Sequence, residues 1–74
     1  MECMDIKILF GRNVRKSREL KGWSQEKLAE RSGLHRTYIS GIERGVRNPT
    51  IEIVREIALA LDEHPSSLLE FEEQ

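Results

Sequence analysis

Ser24-Gln25-Glu26-Lys27-Leu28-Ala29-Glu30-Arg31-Ser32-Gly33-Leu34-His35-Arg36-Thr37-Tyr38-Ile39-Ser40-Gly41-Ile42-Glu43-Arg44-Gly45 reads as two short helices and the turn between them. Ser24 is a good N-cap for a helix over about Gln25–Arg31, although Lys27 stands where a capping box needs Glu or Gln. Leu28 and Ala29 are its inward residues. Ser32-Gly33-Leu34 is a tight turn, and Gly33 supplies the left-handed backbone that a sharp reversal needs. The next helix, about His35–Arg44, turns Ile39 and Ile42 inward and stops at Gly45. Its outer face presents Arg36, Thr37, Ser40 and Arg44. Two short helices joined by a three- to four-residue turn with a glycine match the helix-turn-helix unit, a spacing that other small helical bundles share.

Working outward, helix-period patterns continue and no segment alternates like a strand. A helix over about Asp5–Leu20 carries Phe10 and Val14 on one face and ends at Gly22. Asn48-Pro49-Thr50 is a loop, with Thr50 capping a fourth helix over Ile51–Leu61. That helix is expected to bury Ile51, Val54, Ile57, Ala58 and Leu61. Pro65 opens a short fifth helix at a first-turn position, with Leu68, Leu69 and Phe71 as its apolar residues. The expected fold is an all-α, compact five-helix bundle in one domain, residues 1–74.

The chain has 74 residues, of which 38% are hydrophobic, enough for one small core and too few for a deep substrate cavity. No Ser/His/Asp arrangement, metal-ligand spacing or phosphate-cradling glycine loop stands out, so an enzyme is not expected, nor a metal or other cofactor. Cys3 is a single, incidental thiol. No apolar run approaches the ~20 residues that span a bilayer, and Met1–Asp5 lacks the order of a signal peptide. The sequence thus points to a cytoplasmic chain with no membrane partner.

Net charge is −1, but its distribution is lopsided. Residues 7–47 hold eleven basic and four acidic residues, whereas residues 48–74 hold Arg55 against seven acids. One end of such a molecule can neutralise phosphates while the other faces solvent or a partner.

Ser24-Gln25-Glu26-Lys27-Leu28-Ala29, Ser32-Gly33-Leu34, Tyr38-Ile39-Ser40-Gly41-Ile42-Glu43-Arg44-Gly45 and Arg47-Asn48-Pro49-Thr50 together resemble the XRE family of phage-repressor-like DNA-binding domains. The resemblance spans roughly residues 9–70 and implies a lambda-repressor-like bundle. The run from His35 to Arg44 is most similar to the controller proteins of restriction–modification systems. That implies a homodimer that binds paired, roughly palindromic double-stranded operators upstream of its own gene. Such a protein activates and then represses transcription, delaying the nuclease relative to the methyltransferase.

In the family the start of the third helix enters the major groove. The resemblance therefore puts Arg36 and Thr37 at base edges, Arg36 as the main specificity residue, with Ser40 one turn on. Arg47 is assigned to the backbone, and also to base edges or a minor groove. Gln25, with its cap Ser24, sits at a helix start where free amides favour a phosphate. Arg44 and Asn48 resemble the family's backbone contacts, and Arg12, Asn13 and Lys16 are weaker candidates. His35 stands where the family usually has a Ser or Asp cap, and either caps poorly or touches phosphate. Tyr38 is open to two readings, a ring against the sugar–phosphate backbone or one packed beside Trp23. Gly41 departs from the related repressors, which carry a longer polar side chain there; either fewer bases are read or a backbone comes close.

Arg18 and Glu43 match a family ion pair between the first and third helices. Ser17 takes a place where the family more often has a large apolar residue. Leu59, Leu68, Leu69 and Phe71 are assigned to a dimer interface on the last helix, the alternative being that they cover the fourth helix within one chain. Glu26 and Glu30 are candidate contacts with RNA polymerase. An antitoxin, which would bind a toxin protein as well as its own operator, is the competing reading. A phage-type repressor would commonly carry a further oligomerisation domain.

Overall fold

The computed structural model describes residues 5–71. Cys3 lies outside them, as do the other terminal residues of the expected domain. Four α-helices, α1 (Ile6–Leu20), α2 (Gln25–Ser32), α3 (Arg36–Arg44) and α4 (Ile51–Leu61), are followed by a 3-10 turn at Pro65–Leu69. The described residues contain no strand.

Three of the four α-helices begin on a side-chain cap. The side chains of Asp5, Ser24 and Thr50 accept hydrogen bonds from the amides of Lys7, Lys27 and Ile53 at 2.8, 3.1 and 3.1 Å. His35 precedes α3 with no side-chain cap, so the imidazole leaves the α3 amides to other acceptors. In the turn between α2 and α3, Gly33 adopts φ 78°, and the amides of Gly33 and Leu34 both donate to the Ala29 carbonyl. α4 ends on Asp62 at φ 58°, a left-handed position that a short polar residue tolerates.

α1 packs against α3 and the 3-10 turn, while α2 packs against α3 and α4. Phe10, Val14, Leu28, Ile39, Ile42, Ile57 and Leu61 meet in one core, with Leu68 closing it. α1 and α3 cross at Gly11, where a Cβ would overlap the Ile42 carbonyl oxygen. The crossing is possible only because that side chain is missing.

Three expectations need correction. The fifth helix is a five-residue 3-10 turn, closed by the Ser67 amide donating to the His64 carbonyl at 2.9 Å. The segment is too short to complete two α-turns, and i→i+3 bonding suits such short pieces. Ile51 is 87% exposed rather than buried, because the first residue of α4 lies before the inward stripe, which opens with Ile53 and Val54, both only partly buried. Leu68 is 2% exposed and belongs to the chain's own core. The turn folds it back between α1 and α4, leaving no side-chain surface for a second subunit.

Candidate nucleic-acid interface

A nine-residue helix with one buried stripe leaves the other face free to carry chemistry. In α3, Ile39 and Ile42 are buried, whereas Arg36, Thr37 and Arg44 are exposed and Ser40 is partly so. These four fall within about 100° of arc on a 3.6-residue helix. The outer face of α3 is therefore a continuous polar and cationic strip. The start of α2 stands beside it: Ser24, Gln25, Glu26 and Arg36 line one shallow hollow of about 250 Å³.

The strip is braced from behind. Arg18 of α1 reaches Glu43 of α3 with both ends of its guanidinium, Nε to Oε2 at 2.7 Å and Nη2 to Oε1 at 2.9 Å. Its Nη1 donates to the Trp23 carbonyl at 2.7 Å, tying in the loop before α2. Gln25 of α2 completes the junction, its Nε2 donating to Glu43 Oε1 at 3.0 Å. One buried carboxylate thus fixes α1, α2 and α3 relative to each other. The hydrogen bond to Glu43 raises the Arg18 pKa, against the opposing pull of burial. A raised base favours folding at every pH below its ordinary pKa, so Arg18 stays charged throughout the range in which proteins work.

Arg47 folds back from the following loop onto α3. Its guanidinium lies 5.5 Å from the centre of the Tyr38 ring. A Cβ on Gly41 would stand 2.7 Å from Arg47 Cγ, so the Arg47 stem occupies the space that the glycine leaves. Tyr38 packs on the core and carries Arg47 on its ring. Trp23 is flanked by Lys21 and Arg31 instead.

Other candidates are placed differently. His35 is exposed at the head of the strip. Asn48 is exposed and borders a small hollow with Ile6, Lys7, Phe10 and Leu69. Asn13 is occupied: its Nδ2 donates to the carbonyls of Leu68 and Glu70, both at 2.9 Å, and so pins the last residues of the 3-10 turn and the one after it to α1. Ser17, where the family more often has a large apolar residue, donates its Oγ hydrogen to Glu63 Oε2 at 3.1 Å. Leu59, Leu69 and Phe71 are exposed, as are Glu26 and Glu30. Among the described residues, no three His, Cys, Asp or Glu side chains gather to hold a metal, and no helix is long and apolar enough to cross a membrane.

Sequence reasoning missed Gly11, the hold of Asn13 on the 3-10 turn and the seat of Arg47. Gly11 had a readable signal, since a glycine inside a helix costs stability and marks a close approach. The other two depend on where distant segments return, which no local pattern records.

A polar strip on the second helix of a braced helix-turn-helix defines a class, and the helix-turn-helix family model matches residues 14–68. The chain belongs to that family and, within it, to the control proteins of restriction–modification systems. It is 50% identical to control protein C.BamHI of Bacillus amyloliquefaciens over 68 residues, covering 90% of this chain and 84% of the relative. The restriction–modification controller protein C.AhdI of Aeromonas hydrophila superimposes with a TM-score of 0.81 at 45% identity, covering 84% of this chain and 94% of that one. Controller protein C.Esp1396I, solved as a tetramer with its natural 35 base-pair operator, gives a TM-score of 0.81 at 38% identity, covering 89% and 87% of the two chains.

Proposed function

We propose that the chain is the controller of a restriction–modification system, binding a roughly palindromic operator upstream of its own gene as a homodimer. The observation that carries this is the exposed strip of Arg36, Thr37, Ser40 and Arg44 on a helix held by the Arg18–Glu43–Gln25 junction. The strip enters the major groove. Arg36 bonds one guanine through O6 and N7, Thr37 and Ser40 take neighbouring edges, and Arg47 reads from the loop. Ser24, Gln25, His35, Tyr38, Arg44 and Asn48 hold the sugar–phosphate backbone. Gln25 does so through its backbone amide, because its side chain serves Glu43.

The dimer forms through Leu59, Leu69 and Phe71, with Leu68 supporting them from inside. Residues 1–74 act as one DNA-binding domain in the cytoplasm, without a metal or cofactor and without catalytic activity. By analogy with the tetramer of C.Esp1396I on its operator, two dimers share paired sites. Glu26 and Glu30 face outward as the polymerase contact during activation.

Fluorescence anisotropy with the DNA upstream of the gene, against a scrambled duplex and across salt concentrations, tests this. Wild type is expected to prefer the upstream duplex, with log affinity falling by about 0.9 per phosphate neutralised for each unit of log salt. Arg36→Ala is expected to lose about 1–3 kcal/mol of discrimination. Equal, weak binding of both duplexes would remove the operator reading and direct the search to a protein partner.

A further inference from the structure

Residue 41 is a gap on the border of the reading strip, one turn beyond Thr37 and beside Ser40. Gly41 sends out no side chain, yet it is buried. Arg47 covers it. The would-be Cβ of Gly41 stands 2.7 Å from Arg47 Cγ and 3.2 Å from its Nε, so the arginine stem fills the place of the missing side chain. The guanidinium then lies over Tyr38, three residues earlier on the same helix. The loop is anchored at the same residue, because the Val46 amide donates to the Gly41 carbonyl at 3.0 Å.

Resting on the DNA-binding reading above, we propose that Gly41 and Tyr38 are positioning residues that seat Arg47 on α3, so that the loop supplies the base-reading cation that position 41 itself lacks. Three physical facts favour the arrangement. An arginine held by a ring face has given up rotamer freedom before it meets DNA, so less is lost on binding. Its planar fork suits the two acceptors of a guanine. Any side chain at residue 41 occupies the volume of the Arg47 stem and evicts it.

The test has one arm without DNA and one with it. In NMR spectra of the free protein, the Arg47 side-chain protons are expected to be shifted upfield by the Tyr38 ring. The shift should survive in Tyr38→Phe and vanish in Tyr38→Leu and Gly41→Ala. Anisotropy against the upstream duplex and its single-base variants then gives each protein's base preferences. Arg47→Ala is expected to lose discrimination at one base pair by on the order of tenfold to a hundredfold. Gly41→Ala and Tyr38→Leu should lose it at the same base pair, and Gly41→Ala/Arg47→Ala should be no worse than about twofold below Arg47→Ala alone. Tyr38→Phe keeps the ring and should keep the wild-type ranking of the single-base variants, while loss of the hydroxyl's backbone contact lowers its affinity for all of them alike.

An unshifted Arg47 in wild type would overturn the seat. Gly41→Ala with wild-type base preferences, or effects of the two substitutions that multiply, would overturn its role in reading. If Gly41→Ala fails to fold, Tyr38→Leu decides by the same criteria. A shifted Arg47 in a wild-type protein that shows no preference between duplexes would place the failure in the DNA-binding reading and reject the proposal with it.

Discussion

Glu43 ties three helices together through one carboxylate. Its carboxylate is 3% exposed and accepts from Arg18 twice and from Gln25 once. Removing one member of a buried ion pair strands the other charge and costs about 3–5 kcal/mol. Glu43→Ala is therefore expected to lose that amount in urea denaturation, a large share of the ~5–15 kcal/mol that holds a typical domain. Glu43→Leu combined with Arg18→Met should recover most of it, because no charge is then left without a partner. This pair was legible in the sequence only through family resemblance, since nothing local connects residues 18 and 43. The amide of Gln25 illustrates the limit. Its place at a helix start suggested phosphate, and only the fold reveals that its side chain is committed to Glu43.

At the scale of elements, local chemistry wrote the helix boundaries and packing wrote the rest. Asp5, Ser24 and Thr50 each cap the helix that follows, and the glycines at 33 and 45 end α2 and α3. These were readable because a cap acts over three or four residues. The 3-10 turn was misread as a helix because Pro65 is equally good at starting either. The crossing of α1 and α3 was invisible, although it places the reading helix. Gly11→Ala probes it: alanine is the better helix former by about 1 kcal/mol, so a local view expects a gain. The overlap with the Ile42 carbonyl makes the opposite outcome expected, since overpacking costs about 1–3 kcal/mol and backbone on both sides yields poorly. Thermal unfolding should show a Tm lower by about 4 °C or more. A higher Tm would mean the helices can separate at little cost.

At the scale of the whole molecule, the apolar residues left over are as informative as the core. Leu59 and Phe71 are 67% and 64% exposed on the acidic half of the chain. Burying each on a second copy contributes about 1.5–3 kcal/mol. Leu59→Asp is expected to sediment as a monomer with unchanged helix content and to bind the operator more weakly, because two half-sites are no longer read together. A dimer of unchanged affinity would exclude this face as the interface. Sequence could nominate these residues but could not separate Leu68 from them, because which apolar groups remain outside is settled only when the chain has closed on itself.

That closure has a consequence for how the protein comes into being. Leu68 is the last piece of the core, and Asn13 of α1 grips the carbonyls on either side of Leu69. A ribosome releasing the chain from its N-terminus exposes the basic reading helix well before the residues that shut the core. The nascent chain therefore stays open until the 3-10 turn emerges, and a product truncated before Leu68 leaves raw apolar surface uncovered.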